Sequence, residues 1–417
     1  MKRLLRIGSS LFIFTFLPVI AFMLLAVIFD DPNISTTYCL MYPMQFVWAV
    51  LKVVFATGAN IKQKRADTEN SVLSGIILGT LVGGLAFGIC AIFIDEYIGF
   101  MKMSTELAAY KPFAIYSCLI LFVQLIFSFI LEKLFFEGKE KKANFHSLIF
   151  NIINFVVLIV TSLITKNQII IVCVTLAVTF GYVIWLVVHE FKKFRYKKLK
   201  FDCNIFANMK YVSNTLCSYL FLFATYLFGF SNAFQAGTEF IIALNFICLV
   251  TDSQWDCQVA VSTAAQIDIS TGNFNFKRSL KDSLLFTLVN VATSLVMFFS
   301  LYNLYEVDLS IGLSLLAFHI GDFFSCAAIF ILETFVQLEH SATINTVNMF
   351  CQKTLRTILS IFLPTAYCTV IGQIVTSFTT LAVLLIICFS VFKLTKEGLF
   401  VRRKKEEVPL QAPPPSE

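Results

Sequence analysis

Runs of roughly 20 apolar residues, separated by short segments in which Lys and Arg collect, repeat from one end of the chain to the other. Inside lipid the backbone has no water to bond, so such runs must satisfy their amides and carbonyls within helices or a closed barrel. These runs are continuously apolar where barrel strands would alternate. They predict an all-α membrane protein. Composition agrees: 58% of the 417 residues are hydrophobic and 14% are charged, against about 25% charged in an ordinary globular chain. Soluble enzymes, nucleic-acid binders and secreted disulfide scaffolds are thereby excluded.

The apolar windows place twelve spans near 7–29, 39–58, 71–94, 112–135, 145–165, 168–189, 207–230, 236–262, 283–303, 310–337, 343–363 and 367–392. The first follows Lys2, Arg3 and Arg6 as a signal peptide would, but it is longer than the roughly 7 to 15 residues of a signal-peptide core. It is read as a span. Cytoplasmic loops carry an excess of Lys and Arg, which tests the count. With the N-terminus in the cytoplasm, only Lys102, Lys111 and Lys166 of the 32 Lys and Arg fall in opposite-side loops. Lys52, Lys210, Lys353 and Arg356 lie in or at the ends of spans, and all the rest are cytoplasmic. Both termini are therefore expected in the cytoplasm, and the missing transit peptide points to a plasma or cytoplasmic membrane. The 12 Cys form no C-x-x-C pair and read as small buried apolar residues.

The most basic loop, Lys192 to Lys200, divides the chain near its middle. It gives an N-terminal lobe of six spans (1–190), a basic linker (191–205), a C-terminal lobe of six spans (206–393) and a disordered cytoplasmic tail (394–417). The basic loops are expected to touch anionic lipid head groups. Phe129-Ile130-Leu131-Glu132 recurs as Phe330-Ile331-Leu332-Glu333, and Asn144 as Asn345, both at an offset of 201 residues. The segment from Thr57-Gly58 to Lys64-Arg65 is matched by Thr271-Gly272 to Lys277-Arg278. A parallel repeat of two six-helix lobes follows, and internal repeats of this kind mark transporters.

With these residues in view, the chain resembles the multidrug and toxic compound extrusion (MATE) family, within the larger group that also holds polysaccharide and lipid flippases. The resemblance spans the whole chain diffusely. It rests on the 6 + 6 layout and on two corresponding cytoplasmic segments, Gly58-Ala59-Asn60-Ile61 to Ser74-Gly75 and Ala264-Ala265-Gln266 to Lys277-Arg278-Ser279. It implies a transporter working by alternating access, and a cation-binding acid in the C-terminal lobe at Asp322 of the tenth span. The N-terminal lobe departs from the family pattern. The first span has no acid, Leu158 stands where an acid would follow Asn154, and the seventh span has no Glu.

Charges at bilayer depth are costly and face a cavity or a partner. Asp322 lies mid-span, where a carboxylate would exchange a proton or be neutralised by Na⁺ through oxygen ligands; a hydrogen bond to a neighbouring helix is the alternative. His319, three residues earlier on the same face, would share its proton, or else serve as a buried donor. Lys52 needs an acidic partner, and Asp252 and Asp256, four apart on the eighth span, are the candidates for an interlobe ion pair. Glu132 is expected to pair with Lys133 or Lys139. Asn154 would bond across helices or line a polar cavity.

The chain therefore reads as a secondary active transporter that exports lipophilic or cationic organic compounds, coupled to H⁺ or Na⁺, with no cofactor and as a monomer. Its partner would be a small organic substrate, with no nucleic acid. A flippase for lipid-linked glycans or lipids, and a relative that no longer transports, are the alternatives. No Walker motif, H-E-x-x-H or G-x-S-x-G occurs, so an enzyme is not expected.

Overall fold

A computed structural model describes residues 2–31, 33–40, 42–66, 71–102, 109–191, 205–270 and 273–402. The first lobe holds α1 (Lys2–Phe29), a short α2 (Asn33–Leu40), α3 (Tyr42–Lys52) and α4 (Gly58–Ala66), with a π-helical turn at Val53–Thr57 joining α3 to α4. It continues with α5 (Ser71–Ile92), a short α6 (Ile94–Phe100), α7 (Lys111–Phe136), α8 (Glu140–Ile164) and α9 (Gln168–Phe191). The second lobe holds α10 (Ile205–Phe234), α11 (Thr238–Ser270), α12 (Phe276–Leu301), α13 (Leu309–Phe335), α14 (Ala342–Phe362) and α15 (Cys368–Val391). Each of the twelve expected spans falls on a helix, α3, the π turn and α4 together forming the second. The basic linker and most of the C-terminal tail lie outside the described residues, as does Gly272.

Nine of the helical stretches are long and apolar enough to cross a membrane, among the described residues. A 24-residue helix such as α15 reaches about 36 Å at 1.5 Å per residue, enough for a hydrocarbon core of about 30 Å. The molecule is a multi-pass membrane protein. α11 and α14 fall short on hydropathy for opposite reasons. α11 is the central helix and is buried almost continuously from Phe240 to Thr251, so it can carry Asn245, Asp252, Ser253 and Gln254 against protein instead of lipid. α14 is two-faced: Val347, Phe350, Ile358 and Phe362 are exposed, while Asn348 and Ser360 are buried.

Packing repeats from lobe to lobe. α7 packs on α5, α9 and α3 in the first lobe, and in the second α13 packs on α12, α15 and α11. α8 packs on α1 and α9, and α14 correspondingly on α10 and α15. The seams between lobes obey the same relation: α1 lies against α11, and α3 against α10. Even the turns correspond. Lys102 after α6 and Glu306 before α13 both adopt the left-handed conformation, at φ 55° and 51°. Repeated short sequence identities thus mark a true two-lobe duplication.

Two devices shape the lobes locally. The π turn at Val53–Thr57 brings its backbone against α5, and a Cβ on Gly75 would stand 2.3 Å from the Phe55 carbonyl oxygen. Only glycine permits that approach. At the other end of the chain, part of the segment expected to be disordered is ordered: β1 (Phe392–Leu394) pairs antiparallel with β2 (Phe400–Arg402). Phe400 packs on Phe335 and Phe276 with ring centroids 4.8 and 4.9 Å apart. The Phe276 amide donates to the Gly398 carbonyl at 2.9 Å. Buried aromatic area between the two strands and the start of α12 outweighs the polar composition that suggested disorder.

Candidate functional site

Asp322 is the fourteenth of the 27 residues of α13, close to 20 Å from either helix end at 1.5 Å per residue, and only 1% exposed. A charge so placed must be satisfied by neighbours, and α15 supplies them. Gln373 Nε2 donates to Asp322 Oδ2 at 2.5 Å, and Ser377, four residues on along the same face, donates to Oδ1. Gln373 then reaches the other way, its Oε1 accepting from Arg356 Nη2 of α14 at 2.8 Å. One amide therefore stands between a buried carboxylate and a half-buried guanidinium. Lys353, one turn before Arg356, lies within electrostatic reach of Asp322 and of Glu333.

From Arg356 the chain of contacts continues to the seam between lobes. Arg356 Nη2 also donates to the Tyr226 hydroxyl of α10 at 3.0 Å, and its guanidinium sits 5.4 Å from the Tyr226 ring centre. Tyr226 in turn packs on two residues of the other lobe, Phe46 at 5.1 Å in a stacked arrangement and Tyr42 at 5.2 Å. Tyr42 closes the loop by donating its hydroxyl to Asp252 of α11. Asp322, Gln373, Arg356, Tyr226 and Tyr42 thus form a continuous route from the middle of the second lobe to the first.

The first lobe carries its own polar pair. Lys52 Nζ lies 3.0 Å from Glu132 Oε1 of α7, with the side chains 31% and 16% exposed, and its ammonium also sits 5.5 Å from the Trp48 ring centre. Further into the lobe, Asn154 accepts from the buried Tyr116 hydroxyl at 2.7 Å. At one end of the lobe, Glu137 binds Lys133 at 3.1 Å and Lys139 at 2.5 Å.

Several expected partnerships are replaced. In place of the expected interlobe ion pair, Lys52 is held within its own lobe by Glu132, and Asp252 accepts across the seam from the Tyr42 hydroxyl. The Asp256 side chain lies outside the described ones. Glu132 pairs with Lys52 instead of Lys133 or Lys139, because those two lysines extend past the helix end to Glu137. His319 does not hydrogen-bond Asp322. Both carboxylate oxygens are taken by α15, and His319 Nδ1 is buried without a partner among the described residues. Asn154 bonds across helices, from α8 to α7. The residues that surround Asp322 were missed in the sequence. Gln373 and Ser377 are uncharged, and Arg356 was counted among the cations in or at the ends of spans without a role; the i, i+4 spacing of Gln373 and Ser377 was the signal available.

No family model matches the chain, and no curated protein does. Solved structures do. The chain is similar to a multidrug resistance MATE family transporter of the MOP superfamily in its inward-facing conformation, with a TM-score of 0.64 and 13% identity over 93% of this chain and 94% of that one. The outward-facing conformation of such a transporter matches with a TM-score of 0.62 at the same identity and coverage. A MOP superfamily transporter from Pyrococcus furiosus, described by a reverse polarity of its binding pocket that suggests a different function, matches with a TM-score of 0.59 and 12% identity over 93% and 95%. Twelve helices in two lobes related by a parallel repeat, in the order found here, are the fold of the MATE transporters.

Proposed function

We propose that this protein is a secondary active transporter that moves lipophilic organic compounds across the membrane by alternating access, coupled to H⁺ or Na⁺ at Asp322. One observation carries the reading. The buried carboxylate of α13 is linked through Gln373, Arg356 and Tyr226 to the aromatic contacts that hold α3 against α10. Alternating access requires that seam to loosen and re-form. A change at Asp322 has a physical route to it.

The geometry favours the proton as the coupling ion. Na⁺ is held by several oxygen lone pairs, as other hard cations are, whereas the groups that face Asp322 are an amide N–H and a hydroxyl, with a guanidinium behind them. When Asp322 takes up a proton, it loses its attraction for these donors and Ser377 turns to accept. The Gln373 amide, held less tightly by the neutral acid, can then shift, and with it the bond that its Oε1 accepts from Arg356. Loading the ion and rearranging the link to Tyr226 are the same event.

The sign of the cargo is a separate matter. Tyr42, Phe46 and Tyr226 offer ring faces that attract organic cations, as an exporter of lipophilic or cationic compounds needs. Arg356 already covers one of those faces, and Lys353 stands beside it. These two cations favour the second reading, a flippase for lipid substrates with a negatively charged head. For either cargo we propose a monomer in the plasma or cytoplasmic membrane with both termini inside, the orientation being supported by the excess of Lys and Arg in the loops on that side.

The test is flux in proteoliposomes. A fluorescent organic cation should move under an imposed H⁺ gradient with the wild-type protein, and the movement should vanish in Asp322→Asn while the variant remains folded. Flux that survives Asp322→Asn removes the coupling role from this residue. Absence of gradient-driven flux together with lipid scrambling selects the flippase.

A further inference from the structure

Small residues on one stripe of α5 set its packing on α7. A Cβ on Gly79 would stand 2.5 Å from the Phe129 ring, and one on Gly83 2.4 Å from Leu125, so glycine is what lets the two helices come this close. These contacts fix an antiparallel register, in which each step forward on α5 is matched by a step back on α7. Eleven residues on from Gly79 is Cys90, and eleven back from Phe129 is Cys118. Eleven residues make about three helical turns, so both cysteines return to the contact stripe. Their side chains meet there, Cys118 Sγ lying 3.4 Å from Cys90 Sγ.

The place suits oxidation. Cys90 is two residues from the end of α5 and partly exposed, whereas Cys118 is buried. The same end carries the exposed ion pair of Asp95 and Lys111, so water reaches it. In the orientation proposed above it faces away from the cytoplasm, and disulfides form and persist in oxidising compartments outside the cytosol.

A covalent tie here would reach beyond α5. That helix is thinly held at this end, with Leu85, Ile89 and Ile92 exposed, and it leads directly into α6. The Tyr97 hydroxyl of α6 donates to the Leu40 carbonyl at 2.8 Å. Phe100 crosses to the second lobe, its carbonyl accepting from the Ser231 hydroxyl at 3.0 Å and its ring lying 6.1 Å from Phe228.

We infer that Cys90 and Cys118 are a disulfide-forming pair that fastens the end of α5 to α7 and so holds α6 in its contact with the second lobe. The oxidant is a low-molecular-weight disulfide such as oxidised glutathione. The Cys90 thiolate attacks one of its sulfurs and releases one glutathione thiolate. Cys118 Sγ then attacks the Cys90 sulfur of the mixed disulfide, and the second glutathione thiolate leaves. Each cysteine gives up one proton and one electron; the two electrons reduce the glutathione disulfide, and the two thiolates take the protons.

The test is peptide mass mapping of the purified full-length protein after treatment with oxidised or reduced glutathione and blocking of remaining thiols with a maleimide. Oxidised glutathione should yield peptides joined at Cys90 and Cys118, absent after reduced glutathione, and should raise the unfolding temperature by several degrees. In Cys118→Ala the reaction should stop at Cys90 carrying one glutathione, and in Cys90→Ala the buried Cys118 should stay unmodified. By hydrogen exchange, the amides of Tyr97 to Phe100 should open at least tenfold less often in the oxidised wild type than in the reduced one, with no such difference in Cys118→Ala. Glutathione on both cysteines without a joined peptide, or no reaction at either, overturns the pair. A joined peptide that leaves exchange in α6 unchanged overturns the hold on the second lobe. None of these readouts involves a gradient or a cargo, so they stand apart from the flux experiment.

Discussion

The two lobes share a scaffold and packing order yet treat their buried charges differently. In the first, Lys52 meets Glu132 directly at 3.0 Å, and a buried neutral pair, Tyr116 and Asn154, joins α7 to α8. In the second, Asp322 and Arg356 never touch; Gln373 holds them apart and bonds to both. A direct ion pair satisfies itself and has little reason to rearrange. An acid and a cation separated by one amide can be uncoupled by a single proton. The duplication supplied two similar frameworks, and the two lobes pair their charges differently within them.

The largest effect should come from breaking the second centre. Asp322→Leu strands Arg356, Gln373 and Ser377 in the interior, and removing one partner of a buried charged network costs about 3 to 5 kcal/mol. Thermal unfolding in detergent should show that loss, with Asp322→Asn well above it. If Asp322→Leu unfolds at the wild-type temperature, the network does not hold the second lobe together.

Next in size is a change in the first lobe that involves no charge. Gly75→Ala drives a methyl group into the Phe55 carbonyl and should cost about 1 to 3 kcal/mol by overpacking, seen as a lower unfolding temperature. Gly88→Ala, with open space around it, should not do so. Equal shifts for the two would mean that the π turn does not clamp α5.

Lys52→Ala should be milder than Asp322→Leu, since both members of its pair keep some solvent; a loss of about 1 to 2 kcal/mol is expected, between the exposed and buried limits. The sharper experiment is a double-mutant cycle with Glu132→Gln, which isolates the pair from everything else around it. A coupling energy near zero would dissolve the proposed contrast between the lobes, and a larger coupling to Asp252 than to Glu132 would restore the interlobe pair.

The smallest effect lies outside the membrane. Burial works to raise the Glu137 carboxyl, but hydrogen bonds from Lys139 and Lys133 outweigh it and hold the group below the usual carboxylate range. A lowered folded value stabilises the protein above the ordinary Glu value of about 4.3. That contribution disappears as pH falls through the folded value. Because Glu137 is well exposed to solvent, the change should stay below about 1 kcal/mol. Unfolding measured between pH 6 and pH 3 should therefore differ only slightly between wild type and Glu137→Gln, the variant losing less on acidification.

Much of this molecule is legible in one dimension. Hydropathy and the placement of Lys and Arg set the number and order of helices, because a helix long enough to cross lipid must be apolar along its own length. Phe129 to Glu132 and Phe330 to Glu333 revealed the duplication because both copies sit at the same place in their lobes. Asp322 was conspicuous as an acid in the middle of an apolar run. Partnership is another matter. Whether Lys52 meets Glu132 or Asp252 depends on how far α3 and α7 are rotated and how deep each sits, and a run of apolar residues carries almost no information on either. Gln373 and Ser377 become part of the centre only because α15 packs on α13, and Tyr42 reaches Asp252 only across the seam. The sequence by itself determined what must lie in the membrane, since burial in lipid is a property of each segment alone; the tertiary structure decided which buried charges face one another, since that is a property of pairs of helices.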